Sequence, residues 1–598
     1  MKTLAKVLTL LSSEEKKNFF FLLILIIIMA FIDVLGVASI LPFLMVLANP
    51  DLIESNQILS FLYKGFAVLG VNTIQEFIFF LGIMFFLLFF FSLIIKSLTT
   101  YAQIRFSLMR EYSISKRLIE GYLCQPYNWF LKKNSSDLSK SILSEVSIVV
   151  TQTIMMLLIL IAQSSVALAI LALLILVDPI LALSIGTVLT LANIVIYLIM
   201  KKLLTVKGSE RLLANTNRFK SISEAFGAIK EVKFGGLEQV YVNRFANHAK
   251  IYANNQSFAR SIADLPRYFI EGIAFGGMII LVLFQISRDS SFASFIPIVG
   301  LYAFAGYRLM PAIQQIYHAT SNLRFSGPTL DSLHKDLMNL EHYIEQKKNV
   351  TAMPLRRSIN LKKVYFNYHN INQPTLENIS FEIQALSKIG IVGPTGSGKT
   401  TLVDIILGLL DPSQGALYVD DNLISENNKR SWQKSIGYVP QQIYLTDESI
   451  IENIAFGVDI KNIDKASAEQ AAKIANIHEF IINELPQGYN TIAGERGIRL
   501  SGGQRQRIGI ARALYHKPKV IILDEATSSL DNATEKVVME AMQSLDNKIT
   551  MIIIAHRLTT IKKCDTILFM EKGRLKAQGT YNDLLGKHVS FEKIVLNN

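Results

Sequence analysis

The fold of the second half of this chain is decided by one stretch, Gly393-Pro394-Thr395-Gly396-Ser397-Gly398-Lys399-Thr400, which is a complete GxxxxGK[ST] phosphate-binding loop. An apolar run, Lys388 to Val392, precedes it and predicts a strand, and a helix is predicted over Thr400 to Leu410. In such a loop the backbone N–H groups curl around phosphate oxygens, and the start of the helix adds positive potential. We therefore expect ATP here, with Lys399 at the β- and γ-phosphates and the Thr400 hydroxyl as a ligand of Mg²⁺.

A second motif of this half is the run Val520-Ile521-Ile522-Leu523-Asp524-Glu525, an apolar segment that ends in two acids. A continuous apolar run of this length is typical of a buried strand in a parallel sheet. We expect Asp524 to hold Mg²⁺ through its shell and Glu525 to polarise the water that attacks the γ-phosphate. Together the two motifs predict an α/β P-loop ATPase domain over residues 358–598.

The first half of the chain is apolar enough to lie in a membrane. Charged residues make up 18% of the 598 residues, below the roughly 25% of soluble domains, and Leu, Ile and Phe dominate before about residue 320. Crossing the hydrocarbon core takes about 20 helical residues. Six segments are long enough and predict an α-helical six-span transmembrane domain over residues 1–320, followed by a linker over 321–357. These segments are 18–48, 74–98, 148–177, 180–203, 266–287 and 292–318, with divisions at Val177-Asp178-Pro179 and at Ser287 to Ser291.

The Lys and Arg residues of the loops predict which side is cytoplasmic, because positively charged loops stay inside. They concentrate before the first span and after the second and fourth, whereas the opposite loops hold only Lys64 and Arg288. Both termini and the ATPase domain are therefore expected in the cytoplasm. The inner connections carry apolar residues at helical spacing, which predicts helices that continue into the cytosol. The outer stretch Asp51 to Val71 fits an amphipathic surface helix or an ordinary connecting loop equally well.

A third motif, Leu500-Ser501-Gly502-Gly503-Gln504, resembles the signature sequence of ATP-binding-cassette (ABC) ATPases and lies shortly before the Asp524 strand, as in that family. In the family the signature serine and the start of its helix complete the ATP site of a partner cassette. The resemblance implies that Ser501, Gly502, Gly503 and Gln504 bind the ATP of a second chain. One chain has one cassette, so a homodimer is expected, and pairing with a degenerate partner chain is the alternative.

The resemblance covers the whole ATPase half, because the other ABC motifs follow in order. The implied catalytic residues are Glu525, Gln441 and the switch histidine His556, with Thr400, Gln441 and Asp524 around Mg²⁺. Further implied roles are adenine stacking by Tyr368, nucleotide contact by Thr401, and a contact with the membrane-domain loops by Gly494-Glu495-Arg496-Gly497. Two positions depart from the pattern: Gln442 makes the assignment of Gln441 ambiguous by one place, and Ser529 replaces the usual Ala of the D-loop Ser528-Ser529-Leu530-Asp531.

Six spans fused to a C-terminal cassette resemble the exporter group of ABC transporters. The stretch Ile222 to Lys233 is similar to the exporter segment that contacts the cassette, and coupling helices are expected near Asn128 to Asp137 and Asn215 to Phe226. Leu265 to Gly272 and Tyr307 to Ala312 resemble the bacterial flippases of lipid-linked oligosaccharides, which move polyprenyl-pyrophosphate glycans outward. That resemblance implies a location in the bacterial inner membrane, contact with membrane lipid and an anionic glycolipid substrate.

Charges inside the predicted spans support an anionic substrate independently, because charges in a membrane are costly and mark transport paths. At 1.5 Å per residue from the outer end, Arg308 lies roughly 24 Å down its span and Lys96 roughly 33 Å, with Arg267 at a similar depth. Three cations near the inner leaflet can receive a pyrophosphate. Structural alternatives are that Lys96 snorkels to the interface and that Arg267 pairs with Glu271 one turn away. Asp33, in the first span, has either a helix-packing role or a place in the path.

Other function classes fit less well. A multidrug, lipid or peptide exporter of the same fold is the main alternative, although a multidrug exporter should prefer an apolar, aromatic-lined cavity. Peptide exporters that process their cargo usually carry an N-terminal protease domain, for which about 17 residues before the first span leave no room. The spans exclude a soluble ABC ATPase that acts on nucleic acid, so no nucleic-acid partner is expected. A receptor or channel gated by ATP remains formally open.

Overall fold

The computed structural model describes residues 2–48, 50, 53, 57–67, 73–177, 179–286, 292–340, 350–368, 373–494, 497–525, 536–538, 540–541, 549–554, 561–586, 588–589 and 591–592. The chain divides into two compact units. The first comprises Met1–Gln125 and Lys132–Ile344, and the second comprises Pro126–Leu131 and Glu345–Asn598.

The first unit is helical. Its helices are α1 (Lys2–Leu10), α2 (Ser13–Ala38), α3 (Ile40–Ala48), α4 (Gln57–Ala67), α5 (Ile74–Leu123), α7 (Ser135–Lys140), α8 (Val146–Val149), α9 (Met155–Val177), α10 (Pro179–Gly227), α11 (Ile229–Phe234), α12 (Glu238–Asp264), α13 (Pro266–Ile286), α14 (Phe292–Phe325) and α15 (Gly327–Asn339); α6 (Tyr127–Phe130) belongs to the second unit. Turns of π-helix, Ser141–Glu145 and Val150–Ile154, flank α8.

The long helices lie where the hydropathy pattern predicts spans. Within the described residues, Ser13–Leu47, Ile74–Leu123 and Ser135–Val177 are long and apolar enough to cross a membrane. The other predicted spans fall on α10, α13 and α14. The helices continue beyond the predicted spans, since α5 extends to Leu123 and α10 to Gly227. Asp178 and residues 287–291, which were predicted as outer turns, lie outside the described residues.

Two connecting segments contain helices. Within the stretch Asp51 to Val71, the described residues Gln57–Ala67 form the helix α4, one of the two predicted alternatives, and Tyr63 packs edge-on against Phe77 with the ring centroids 5.1 Å apart. The segment predicted as a linker, 321–357, begins as helix, since α14 runs to Phe325 and α15 follows. In α15, Leu330, Leu333 and Leu337 are buried at helical spacing, which gives this segment an apolar face that the linker prediction overlooked.

A buried polar cluster joins α10, α15 and the π-helical turn Ser141–Glu145. The fully buried Arg211 of α10 forms an ion pair with Glu145 at 3.2 Å and a hydrogen bond to Thr329 of α15. Asn215 donates to the same carboxylate at 2.7 Å. The Arg211 guanidinium also lies 5.8 Å from the ring centroid of Phe325. The cluster therefore ties α10 and α15 to the π-helical segment through charge and hydrogen bonds.

The second unit contains two sheets. The antiparallel sheet has the order β2 (Leu376–Gln384), β1 (Ser358–Phe366), β4 (Gln414–Val419), β5 (Asn422–Leu423). The other sheet has the order β10 (Arg574–Gly579), β9 (Thr566–Glu571), β3 (Lys388–Val392), β8 (Thr550–Ile554), β7 (Val520–Asp524), β6 (Ile436–Val439), and it is parallel from β9 to β6. Its described helices are α16 (Lys399–Ile406), α17 (Lys429–Gln433), α18 (Ile450–Ile454), α19 (Lys465–Ile474), α20 (His478–Asn483), α21 (Gly502–Tyr515) and α22 (Tyr581–Leu585).

The parallel strands bring the sequence motifs to one edge. Strands β7 and β8 are buried throughout, as continuous apolar runs in a parallel sheet should be. The carboxyl ends of parallel strands meet at the same edge, where α/β folds place their ligands. The phosphate-binding loop after β3, the acids after β7 and Gln441 after β6 therefore share that edge.

Candidate ATP site and membrane path

The phosphate-binding loop has the geometry that its sequence predicts. Gly398 has φ +96°, a left-handed conformation that favours glycine, and it starts α16. Gly393 passes so close to β9 that an added Cβ would overlap the Met570 carbonyl oxygen. The Ser397 hydroxyl is buried and has no hydrogen-bond partner within the described part of the chain. A buried polar atom in this position fits a loop built to take phosphate oxygens.

Lys399 lies at the centre of the loop with its charge held by the backbone. Its Nζ donates to the carbonyl oxygens of Gly393 at 2.8 Å and Pro394 at 3.0 Å. Burial lowers the pKa of Lys399, and the negative charges of Glu525 and Asp524 oppose that shift. The Lys399 ammonium group is therefore partly desolvated and lies near two acids. A bound phosphate group would be stabilised by the positive charge of Lys399.

The two acids at the end of β7, Asp524 as its last residue and Glu525 directly after it, have different surroundings. Asp524 is buried, and Tyr438 of β6 donates to its Oδ2 at 3.4 Å. Glu525 is exposed to an intermediate degree and has φ +49°, which is unusual for a residue other than glycine. The Gln441 Nε2 donates to Glu525 Oε2 at 2.7 Å, which favours Gln441 over Gln442 as the residue at the γ-phosphate.

Sequence reasoning missed Tyr438 and Asp404. Burial raises the pKa of Asp404 to about 6, and the negative charge of Asp524 adds to the shift. The signal available for Asp404 was a single carboxylate within the apolar run of α16. Tyr438 had no such signal, because only the pairing of β6 with β7 brings it to Asp524.

Tyr368, which was predicted to stack on adenine, contacts Thr401 and Phe366. Its hydroxyl forms a hydrogen bond with Thr401 Oγ1 at 3.2 Å, and its ring packs edge-on against Phe366 at 5.0 Å between centroids. Burial raises the pKa of Tyr127 in α6, and the charges of Asp404 and Tyr368 contribute. Tyr127, the residue directly before the predicted coupling segment Asn128 to Asp137, thus lies within electrostatic reach of Asp404 and Tyr368.

The signature motif forms the start of α21. Ser501 accepts a hydrogen bond from the Gln504 backbone at 3.2 Å, and the Gln504 side chain accepts one from the Ser501 backbone at 2.8 Å. Ser501 and Gly502 are exposed, whereas Gly503 and Gln504 are half-buried. Arg512 anchors the same helix by donating to the carbonyl oxygens of Asn453 at 2.8 Å and Tyr444 at 2.9 Å. The helix therefore presents a capped N-terminus to its surroundings.

Three predicted elements cannot be placed. The D-loop Ser528 to Asp531, the switch histidine His556, and Glu495 with Arg496 of the membrane-contacting segment lie outside the described residues.

The residues present fit ATP and Mg²⁺. Thr400 is exposed at the end of the loop, next to the buried Lys399, and Gln441 and Asp524 have further side-chain oxygens at the same edge that could act as ligands. Mg²⁺ prefers oxygen ligands and usually keeps phosphate and water in its shell. A site with few protein ligands is consistent with the described residues, among which no three His, Cys, Asp or Glu side chains cluster to hold a metal by themselves.

The predicted membrane path contains ion pairs. Arg308 Nη1 lies 3.1 Å from Asp33 Oδ1, and Lys96 Nζ lies 3.9 Å from Asp33 Oδ2. Arg267 Nε donates to Glu271 Oε1 at 2.7 Å, the pairing that its sequence spacing offered as the alternative. Each of the three cations predicted to receive substrate thus has a carboxylate partner.

Two family models match the chain: the ABC transporter transmembrane region over residues 18–288 and the ABC transporter model over residues 376–528. Together they cover well over half of the chain, which belongs to the ABC transporters. Its helical membrane region followed by one ATPase cassette is the arrangement of an exporter half-transporter and of a multi-pass membrane protein. The predicted fold class is confirmed.

The chain is similar to several known proteins. The chain is 35% identical over 387 residues to an ATP-dependent lipid A-core flippase of Saccharophagus degradans, with 64% of each chain covered. It is 29% identical over 474 residues to the protein of that name from Cupriavidus pinatubonensis, covering 78% of this chain and 79% of that one. A bacterial Atm1-family ABC exporter solved with ATP bound has the same fold, with a TM-score of 0.76, 24% identity, and coverage of 94% of this chain and 98% of that one. The chain thus spans just under two thirds of the first relative's length.

Proposed function

We propose that this chain pairs with a second copy, hydrolyses ATP with Mg²⁺ and uses the energy to flip an anionic lipid across the bacterial inner membrane. The substrate we favour is a polyprenyl-pyrophosphate-linked oligosaccharide. The termini and the ATPase domain lie on the cytoplasmic side in this proposal, as the positively charged loops predict.

One observation supports hydrolysis above the others: Gln441 holds Glu525 at 2.7 Å, at the sheet edge that also carries Lys399 and Asp524. A carboxylate oriented by an amide can position water for attack on the γ-phosphate, and Lys399 stabilises the charge that develops there. Thr400, Gln441 and Asp524 would hold Mg²⁺, which neutralises charge on the phosphates when bound.

Pairing of two copies is supported by the signature motif. Ser501 lies exposed at the start of a helix of 14 residues, and its own contacts are the local capping bonds with Gln504. A capped helix start with exposed N–H groups suits a phosphate group brought by another chain. The chain has one phosphate-binding loop and one signature, so two copies would form two composite sites.

An anionic lipid is supported by Arg308 and by the relatives. Two similar proteins are named lipid A-core flippases, which favours lipid as the class of cargo. Arg308 is buried, and its Nε has no hydrogen-bond partner within the described residues. A guanidinium with a free N–H group can bind phosphate oxygens in a forked geometry.

A second candidate is an exporter of neutral, apolar molecules. It is favoured by the ion pairs of Arg308 with Asp33 and of Arg267 with Glu271, because a cation that has a carboxylate partner in the protein depends less on an anionic cargo. Flipping by the reconstituted protein separates the two candidates. The assay compares a fluorescent polyprenyl-pyrophosphate glycan with a neutral drug, and ATP turnover is measured in the same vesicles.

Arg308→Ala provides the decisive variant. Hydrogen bonds to charged groups contribute about 1.5–3 kcal/mol, so flipping should fall by roughly ten- to a hundredfold while basal ATP turnover changes less. Arg308→Lys should rescue partly, since it keeps the charge but not the fork. The control is Arg324→Ala on the same helix, where the arginine is exposed and bonded to Tyr197 at 2.7 Å. Transport of the drug but not of the glycolipid would replace our proposal by the second candidate.

A further inference from the structure

Asp33 is a buried carboxylate of the first long helix to which the proposed function gives no role. Its side chain is 1% exposed, and it faces Arg308 of α14, which is 8% exposed, and Lys96 of α5, which is 35% exposed. Two cations and one carboxylate leave a net positive charge where three helices meet. Charged side chains at such a depth are costly and usually functional.

Two of the three residues, Asp33 and Arg308, lie at one level of the predicted path. At 1.5 Å per residue, Asp33 lies roughly 23 Å from the outer end of α3, and Arg308 lies roughly 24 Å from the outer end of α14. Lys96 is deeper, and its long side chain reaches to within 3.9 Å of the Asp33 carboxylate. Asp33 and Arg308 are thus matched in depth, whereas the lysine approaches from the inner side.

The contacts of this cluster are ionic and poorly hydrogen-bonded. Neither oxygen of Asp33 accepts a hydrogen bond within the described part of the chain, although Arg308 Nη1 is 3.1 Å away. The guanidinium lies 4.8 Å from the ring centroid of Phe89, so one of its faces is covered by an aromatic ring. A buried ion pair without good hydrogen bonds adds little to stability. The pair can therefore be exchanged for an anion that offers better geometry.

We propose that Asp33 is the internal counter-ion that a lipid phosphate displaces from Arg308. Before substrate enters, Asp33 compensates the buried guanidinium. A phosphate group then takes over with several acceptor oxygens, and after flipping Asp33 competes for the cation again and promotes release. Asp33 is a positioning and specificity residue in this scheme, which rests on the proposed flipping of an anionic lipid.

The test measures ATP turnover and flipping in phosphatidylcholine vesicles that carry increasing amounts of undecaprenyl pyrophosphate. Asp33→Asn should lower the apparent KM for this lipid by at least about fivefold, the effect of one unit charge at about 4 Å even at the dielectric of water. The maximal flipping rate should fall, because release loses its competitor. Undecaprenol, which carries no charge, should show no such change in KM.

Two further variants keep the test decisive. Adding Lys96→Met to Asp33→Asn restores the net charge and should return the apparent KM toward that of the parent. Lys96→Met alone should raise the apparent KM by a similar factor, and it remains informative if Asp33→Asn does not fold. Thermal unfolding of each variant monitors packing.

The possible results separate this inference from the proposed function. If the parent responds to undecaprenyl pyrophosphate but Asp33→Asn has an unchanged or raised KM, Asp33 only packs helices and the inference is wrong. An unchanged KM in Lys96→Met contradicts the charge argument in the same way. If the parent neither binds nor flips the anionic lipid, the proposed cargo fails, and the role of Asp33 falls with it.

Discussion

Replacing Glu525 by glutamine is the sharpest test of the catalytic geometry. The change keeps the shape of the side chain, so the amide oxygen can still accept the hydrogen bond that Gln441 donates at 2.7 Å. The backbone at this position, with φ +49° and a hydrogen bond from its N–H to the Ile554 carbonyl at 3.1 Å, should be unaffected. What is lost is the negative charge that polarises water.

The size of the effect follows from the role of the carboxylate. Loss of a general base slows a reaction by about 10²–10⁴-fold, which is roughly 3–5 kcal/mol in the barrier. ATP binding should be retained or tightened, because a negative charge beside Lys399 disappears and the phosphates meet less repulsion. Phosphate release and nucleotide binding are measured on the same reconstituted preparation.

The orienting role of Gln441 can be tested with its neighbour Gln442 as the matched control. Gln441→Ala removes the group that orients Glu525 and should slow turnover, whereas Gln442→Ala should leave turnover near the parent rate. Near-normal phosphate release by Glu525→Gln would show that another group activates the water. Equal defects from both glutamine variants would contradict the assignment of Gln441.

Three further predictions address other parts of the chain. Mixed dimers that carry Ser501→Arg in one copy and Lys399→Ala in the other should retain about half of the parent ATP turnover. Both changes fall in one composite site, so the other site stays intact. Turnover as low as in either pure mutant dimer would refute the head-to-tail pairing. Arg211→Met should lower the free energy of unfolding by about 3–5 kcal/mol, since it strands a buried carboxylate, and Arg211→Met with Glu145→Leu should recover most of the loss in thermal unfolding. Burial raises the pKa of Cys564 to about 12, so at pH 8 only about one thiol in 10⁴ is ionised. N-ethylmaleimide should therefore label this residue after denaturation but not in the native protein.

The ATPase half was readable from sequence because its chemistry lies in contiguous motifs. The phosphate-binding loop and the signature each supply their own turn and helix start, so local rules suffice to predict Lys399 and Ser501. The choice between Gln441 and Gln442 was not local. It depends on which side chain the end of β6 directs toward Glu525, and this follows from the pairing of β6 with β7.

In the membrane half, the sequence predicted the helices but not the contacts between them. The pairing of Arg267 with Glu271 was accessible because residues four apart on a helix are neighbours. The pairing of Asp33 with Arg308 joins helices from opposite ends of the domain, and no periodicity predicts which helices are adjacent. The helix α15 was missed for another reason, since the spacing of Leu330, Leu333 and Leu337 was present in a segment read as a linker.

Both halves hold a buried cation against a group that phosphate can replace. Lys399 donates to two carbonyl oxygens of its own loop, and Arg308 pairs with the carboxylate of Asp33, which accepts no hydrogen bond from any residue that the structure describes. An uncompensated buried charge would be costly, so each internal partner stabilises the empty site. The same partner lowers the net gain on binding, because a ligand is held only by the difference between its contacts and those it displaces. The partner of Lys399 is the backbone, which a side-chain substitution does not remove. The partner of Arg308 is the Asp33 side chain, which mutation can remove. The membrane site therefore allows an experiment that shifts the balance between tight substrate binding and substrate release.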